Sequence, residues 1–278
     1  MRFLWLLSDV SYYILYHVLG YRRKVVRDNL KNAFPTYTEE ALVDIEKKFY
    51  HHFCDLALET LKCLSISNRQ IRKRFKVKNP EIFETYYKQN KSVILYTAHQ
   101  GNWEWIAFLP LFVNHQLTAF YQPLNNGYFD EFVKLIRQRF GVLCIPSDRG
   151  YRTMMELERQ NVLTINCIIG DQSPQKKSTK HWVNFLNQDT AFFIGADRIA
   201  RKSDHVVIFP VYRKIGRSCY ELEFRLLNDE AGKTEPNAIV NQYAEILQET
   251  IQKQPELWLW SHRRWKIKKP SKDNGIMS

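Results

Sequence analysis

A histidine and a glutamate stand five residues apart in the segment TAHQGNWEW, residues 97–105. His99 follows a short apolar run typical of a buried strand, and Glu104 comes soon after a Gly-Asn pair. An imidazole can act as a general base near neutral pH, and a carboxylate can hold and orient it. We therefore predict a catalytic dyad that deprotonates a hydroxyl for attack on an acyl group.

The spacing of this pair constrains its local structure. Five residues within one helix turn two side chains about 140° apart, so the dyad needs His99 on a loop and Glu104 in the first helical turn. Gly101 permits a tight turn, and Asn102 is a suitable N-cap that we also count among the candidate substrate-binding residues. The alternative is a histidine that only caps a helix. A position at the end of a strand favours the catalytic interpretation.

The elements around this motif alternate between strands and helices. Residues 1–75 are predicted to form a helical N-terminal region, and residues 76–278 an α/β domain with a mostly parallel central sheet flanked by helices. One predicted helix covers residues 101–114 and is kinked or ended at Pro110, and another covers residues 190–204. We find no linker between the two regions.

The first 20 residues are mostly apolar and precede a basic cluster, Arg22, Arg23, Lys24 and Arg27. This order of charge is the reverse of a signal peptide, and about 18 apolar residues is near the lower limit for crossing a bilayer. We expect a helix lying in the membrane interface with its basic end at anionic headgroups. The alternative is an ordinary buried first helix.

The bulk composition narrows the possible partners. A formal net charge of +12 favours anionic lipids, nucleic acid or an acidic carrier protein. No known nucleic-acid-binding signature is present, so nucleic acid is not expected. The five scattered cysteines lack CxxC spacing, which indicates reduced thiols in the cytosol and no metal site.

Several segments together resemble the late acyltransferases of lipid A biosynthesis, within the glycerolipid acyltransferase superfamily. They run in order from LSDVSYYILYHVLGYRRKVVRDNLKNAFP through TAHQGNWEW, IGDQSP and FLNQDTAFFIGADRIARKS to WLWSHRRWK. The resemblance covers nearly the whole chain. Gln100 stands where an aromatic residue is usual, and residues 187–189 where a glycine-containing turn is common. We expect both differences to change the shape of the acceptor pocket and neither to remove the dyad.

The resemblance implies a glycerolipid acyltransferase-like fold and transfer of an acyl chain from acyl carrier protein, or from coenzyme A, to a hydroxyl of a membrane lipid. The expected acceptor is a lipid A precursor. The resemblance implies no metal or other cofactor, and a location at the cytoplasmic face of the inner membrane. Within it, His99 and Glu104 match the catalytic motif. Backbone N–H groups or an arginine are the open alternatives for stabilising the oxyanion.

Other polar residues are weaker candidates for substrate binding. The resemblance suggests that Arg137 or Arg139 contacts a headgroup phosphate, and only one of them is expected to face the site. Arg149 lies between a strand and a helix, where anions often bind. Asp171 is predicted to orient the headgroup or anchor an arginine, with a turn-forming role as the alternative, and Arg198 to contact substrate or pair structurally.

The basic C-terminal stretch HRRWKIKK is expected to dock headgroups or the carrier, with a solvated tail as the alternative. Two alternative hypotheses compete with acyl transfer to a lipid A precursor. One is the same chemistry on a lysophospholipid, glycolipid or aminolipid. The other is a non-catalytic basic protein that binds membranes.

Overall fold

A computed structural model describes residues 1–122, 126–175 and 180–270. The chain begins with α1 (Arg2–Tyr12), which continues as a π-helical segment, Tyr13–Val18. Three further helices follow, namely α2 (Arg23–Ala33), α3 (Glu39–Lys62) and α4 (Asn68–Arg74). The Thr38 hydroxyl caps α3 by accepting from the Ala41 N–H.

Strands and helices then alternate, in agreement with the predicted α/β class. The elements in chain order are β1 (Phe75–Val77), α5 (Glu81–Lys88), β2 (Val93–Thr97), a 3-10 helix (Trp103–Leu111), β3 (Gln116–Tyr121), α6 (Gly127–Gln138), β4 (Leu143–Pro146), α7 (Gly150–Arg159), β5 (Thr164–Ile169), β6 (Lys180–Phe185), β7 (Gln188–Phe193), α8 (Gly195–Ser203), β8 (Val206–Gly216), β9 (Cys219–Asn228), α9 (Ala238–Lys253) and a 3-10 turn (Pro255–Leu257). A further short 3-10 turn, Ala231–Lys233, precedes α9.

Seven strands form the central sheet in the order β1-β9-β8-β2-β5-β3-β4. The five from β8 to β4 are mutually parallel, whereas β9 runs antiparallel to β8. The mostly parallel sheet is thus confirmed. It places β2, which is buried along its whole length, at the centre between β8 and β5.

Alternate residues of β2 contribute to two hydrophobic cores on opposite faces of the sheet. Val93 and Leu95 contribute to the core that contains Trp105 and Phe108. Ile94 and Tyr96 contribute to the other, which is closed by helices α2, α3 and α9. The N-terminal helices therefore share a core with the sheet, although the sequence predicts them as a separate helical region.

Two helix predictions differ from the structure. The segment predicted as a helix over 190–204 begins as β7, which pairs with β6 in a separate two-stranded sheet, and only Gly195–Ser203 is helical. The helix predicted after His99 is a 3-10 helix that contains Pro110. Proline lacks an N–H and disturbs α-helical hydrogen bonding, which is consistent with the tighter form.

The N-terminal segment presents apolar side chains to the outside. Phe3, Leu6, Val10, Tyr13 and Val18 are each more than half exposed. Within the described residues, no helix is both long enough and apolar enough to cross a bilayer. Part of the basic cluster is used inside the protein, because Arg23 and Arg27 both pair with the buried Glu46.

Candidate active site

The loops that follow β2 and β5 bring His99 and Asp171 together. These strands are parallel neighbours, and Thr97 is paired with Ile169. His99 lies two residues after Thr97, and Asp171 two residues after Ile169. In neighbouring parallel strands, residues at the same distance from a paired position lie side by side. The two side chains therefore meet at the carboxyl edge of the sheet, where sites in α/β proteins are found.

Three hydrogen bonds hold the carboxylate of Asp171. Its Oδ1 accepts from His99 Nδ1 at 2.8 Å, and its Oδ2 accepts from the His99 backbone N–H at 3.0 Å. The indole Nε1 of Trp258 donates to the same Oδ2 at 2.8 Å. Each oxygen of this buried group is thereby satisfied by a donor.

The environment of Asp171 favours its ionised form. Burial raises the pKa of this carboxyl, but the charge and hydrogen bonds of His99, together with the Trp258 N–H, outweigh burial and lower the pKa below its ordinary value. An ionised Asp171 accepts a hydrogen bond from Nδ1–H of His99. In the neutral imidazole, Nε2 is then the nitrogen without a proton. The exposed Gln172 lies at that nitrogen, with its amide Nε2 3.3 Å away.

Glu104 does not take the place predicted for it beside His99. Its two carboxylate oxygens accept from Arg137, Nη2 to Oε1 at 2.9 Å and Nε to Oε2 at 3.2 Å. The 3-10 helix directs Glu104 towards α6, and the guanidinium there offers two parallel donors. The predicted hydrogen-bonded partner of His99 was therefore wrong, and Asp171 occupies that position.

The turn between these two residues forms as its sequence predicts. Gly101 has a φ of +61°, and a Cβ there would lie 2.7 Å from the Tyr212 ring, so a side chain would be both strained and crowded. Asn102 caps the 3-10 helix by accepting from the Trp105 N–H at 3.3 Å. Its amide donates to Glu59 of α3 at 2.6 Å, so this fully buried side chain faces α3 and not solvent.

Among the described contacts, none joins the other predicted binding arginines to His99 or Asp171. Arg139 donates to the backbone carbonyls of Cys63 and Ile66, where it closes the C-terminal end of α3. Arg149 is exposed after the edge strand β4, which β5 and β3 separate from β2. Arg198 is exposed on α8. Asp171, predicted to orient a headgroup or anchor an arginine, instead binds His99.

The segment after α9 wraps around the loop of His99. The Leu259 N–H donates to the His99 carbonyl and the Gly101 N–H to the Leu257 carbonyl, each at 3.0 Å. Trp265, expected at a membrane surface, is buried and donates to Thr190. The indole of Trp265 therefore packs inside the protein.

A second residue of this segment, His262, supports the loop that carries Asp171. Its Nε2 accepts from the Ser173 N–H at 3.2 Å. Burial lowers the pKa of His262 to about 4, which keeps the imidazole neutral and able to accept at physiological pH.

Sequence reasoning missed three polar residues here, Trp258, His262 and Gln172. The IGDQSP and WLWSHRRWK segments contain them, but only the fold brings these segments to His99. Among the described residues, no cluster of three or more His, Cys, Asp or Glu side chains is arranged to hold a metal ion.

Comparison with known proteins identifies the family. The model of the bacterial lipid A biosynthesis acyltransferases matches residues 6–267, and the chain belongs to this family. It is therefore an acyltransferase, and the histidine at the sheet edge lies in a fold that serves acyl transfer.

Curated relatives agree over most of the chain. It is 23% identical over 251 residues to the lipid A biosynthesis palmitoleoyltransferase of Escherichia coli, an alignment that covers 89% of this chain and 79% of the relative. A lipid A biosynthesis acyltransferase of Haemophilus influenzae is 21% identical over 260 residues, covering 92% and 80%. A Shigella flexneri protein of the same description matches at 23% identity over 251 residues, covering 89% and 79%.

Proposed function

We propose that this protein transfers a fatty acyl chain from an acyl thioester to a hydroxyl of a lipid A precursor, with His99 as the general base. The observation that carries the proposal is the hydrogen bond between His99 and the buried Asp171 in a member of this family. An imidazole that is hydrogen-bonded to a carboxylate at the carboxyl edge of an α/β sheet suits deprotonation of an alcohol.

The proposed reaction accounts for each proton. Nε2 of His99 takes the proton of the acceptor hydroxyl while the oxygen attacks the thioester carbonyl, and Asp171 stabilises the resulting imidazolium. The tetrahedral intermediate then collapses and the carbon–sulfur bond breaks. The departing thiolate recovers the proton from the imidazolium, and the new ester leaves His99 neutral for the next cycle.

Glu104 and Arg137 have a supporting role in this proposal. Their bidentate pair is largely buried and joins the helix after His99 to α6. It positions that helix, and with it the turn at Gly101 and Asn102. The reaction uses no metal or other cofactor, only the thioester co-substrate.

We propose acyl carrier protein as the donor in preference to coenzyme A. The net charge of +12 favours an acidic carrier, and Arg22 and Lys24 are exposed at the start of α2. This charge also suits an anionic membrane surface.

We propose membrane association at the cytoplasmic face of the inner membrane, supported by the exposed apolar face of α1 and of the π-helical segment that continues it. Leu6, Val10 and Tyr13 recur at helical spacing and are 61%, 51% and 62% exposed. An in-plane helix of this kind buries its apolar face among lipid headgroups.

Lipid analysis of a deletion strain tests the proposed acceptor. Mass spectrometry of its lipid A is expected to show the loss of one acyl chain, restored by the wild-type gene and not by His99→Ala. Purified enzyme should use acyl carrier protein thioesters faster than coenzyme A thioesters. Unchanged lipid A together with an altered phospholipid or aminolipid would contradict the acceptor, and an unchanged total lipid profile would contradict the proposal as a whole.

A further inference from the structure

Three buried tryptophans in the segment after α9 each donate an indole hydrogen bond. Trp260 donates to the Pro255 carbonyl at 2.6 Å, and Trp265 donates to the Thr190 hydroxyl at 2.7 Å. Trp258 donates instead to Oδ2 of Asp171 at 2.8 Å. One indole thus acts on the partner of His99, while its neighbours bind groups of the scaffold.

We propose that Trp258 is a positioning residue for acyl transfer, whose indole N–H fixes the Asp171 carboxylate so that Oδ1 faces the imidazole of His99. This inference rests on the proposed function of His99 as the base. It adds a residue of the C-terminal segment to the groups that determine the reactivity of that base.

The geometry of the carboxylate supports this role. Oδ2 accepts from Trp258 on one side and from the His99 backbone N–H on the other, so the carboxylate is held by the oxygen that does not touch the imidazole. Without the indole donor, one hydrogen bond to a buried charge is lost and the carboxylate can rotate away from Nδ1. Hydrogen bonds to buried charged groups are among the strongest in proteins.

The position of Trp258 is itself fixed. Its ring lies edge-on to Phe185, Trp260 and Trp265, with centroids 6.1, 4.7 and 6.0 Å away. Backbone bonds from Leu257 and Leu259, on either side of it, attach to Gly101 and His99. The indole therefore reaches Asp171 from a rigid segment that is anchored to the loop of His99.

Other groups act on Asp171 from each surrounding element, and a pH experiment must hold them constant. They are His99 after β2, Tyr96 on β2, Tyr243 on α9, and His262 and Arg264 in the C-terminal segment. A single substitution that removes only the indole N–H leaves all of these unchanged.

The test compares Trp258→Phe with the matched control Trp260→Phe, which loses an indole hydrogen bond from the same segment. For Trp258→Phe we expect kcat to fall about tenfold, the loss of one hydrogen bond to a charge, with KM unchanged. Without the N–H the His99–Asp171 pair protonates more readily. The acidic limb of the kcat profile should therefore move about one unit to higher pH, while Trp260→Phe keeps the wild-type profile.

Replacing Trp258 by benzothienylalanine, which keeps the bicyclic shape and lacks the N–H, covers the possibility that phenylalanine disturbs folding. The same shift in the acidic limb is expected, with a melting temperature near that of the wild type. A wild-type pH profile in this variant, or equal losses in Trp258→Phe and Trp260→Phe, would overturn the inference. If His99→Ala itself retains activity, it is the proposed function that fails, so the two failures are distinguishable.

Discussion

Strand register decides which carboxylate pairs with His99, the proposed general base. His99 and Asp171 meet because each lies two residues beyond the paired positions Thr97 and Ile169. The carboxylate nearer in sequence, Glu104, is held by Arg137. Proximity along the chain is thus a poor guide to which acid holds an imidazole.

A double substitution at Glu104 and Arg137 tests whether this pair positions the helix or assists the imidazole. Glu104→Gln alone leaves a largely buried guanidinium without its anion, and we expect a strong loss of both activity and stability. Adding Arg137→Gln removes that unpaired charge and should restore much of both. The measurement is a double-mutant cycle of kcat and of the free energy of unfolding.

The same cycle distinguishes the two roles of Glu104. If Glu104 were the group that orients His99, the double variant would be as inactive as Glu104→Gln. Recovery of stability without recovery of kcat would therefore contradict the positioning role.

Local features of the site could be predicted from sequence, but its long-range pairing could not. The turn at Gly101 and the cap at Asn102 follow from the conformational preferences of single residues. The contact between His99 and Asp171 spans 72 positions and depends on β2 and β5 being neighbours. Without that strand order, the acid at the end of β5 has no evident partner.

At the scale of the elements, α3 supports the loop that follows His99. Oε2 of its buried Glu59 accepts from Asn102 at 2.6 Å and from the Tyr220 hydroxyl at 3.0 Å. On the same helix, His52 contacts the Gly101 carbonyl at 3.1 Å. Both contacts fix the backbone that follows His99.

The buried Glu59 gives a prediction about stability and pH. Burial raises the pKa of Glu59 above its value in the unfolded chain, which is about 4.3. The protonated side chain therefore contributes stability that is fully present below the unfolded pKa. This contribution is lost as pH rises through the folded pKa, because the charged form is costly to bury. Glu59→Gln keeps an oxygen for the same two donors and does not ionise. We expect the stability of this variant relative to wild type to increase from pH 4 to pH 8, measured by denaturant unfolding.

The exposed Glu131→Gln serves as the control for this prediction, because its side chain is 75% exposed and paired only at the surface. Its stability difference from wild type should change little over the same range. A stability difference for Glu59→Gln that is flat with pH would contradict a strained charge at that position.

The alternation of strands and helices predicted the class of the fold, but not every element. Residues 190–193 form part of β7, although they were predicted to be helical. A short apolar run is compatible with either a strand or a buried helix, so its sequence does not distinguish the two. The antiparallel direction of β9 also has no signature in its own residues. Pairing partners decide both features.

At the scale of the whole molecule, the N-terminal helix is attached to the domain more firmly than its sequence indicates. Ser8 donates to Asp55 of α3 at 2.7 Å, and Arg217 pairs with both Asp9 and Asp55. Tyr16 is buried in the core shared with the sheet. Deleting residues 1–20 would therefore remove part of the core, so substitution of exposed residues is the better test of membrane binding.

We expect the triple variant Leu6→Gln, Val10→Gln and Tyr13→Gln to bind anionic vesicles at least about tenfold more weakly than wild type, because each change removes exposed apolar surface from the lipid contact. The measurement is vesicle co-sedimentation, with circular dichroism to verify folding. The matched control substitutes three exposed apolar residues elsewhere, Tyr37, Leu61 and Leu64. Equal binding by the two triple variants would contradict the role of α1 and its π-helical continuation.

The most direct test of the central claim is the rate of acyl transfer by His99→Ala. Purified enzyme in detergent would receive labelled acyl carrier protein and a lipid A precursor, with His181→Ala as the control because that imidazole contacts only the exposed Asn241 among the described hydrogen bonds. Loss of a general base predicts a fall in kcat of at least about 10²-fold for His99→Ala, with the control unchanged. Transfer at the wild-type rate by His99→Ala would contradict the account.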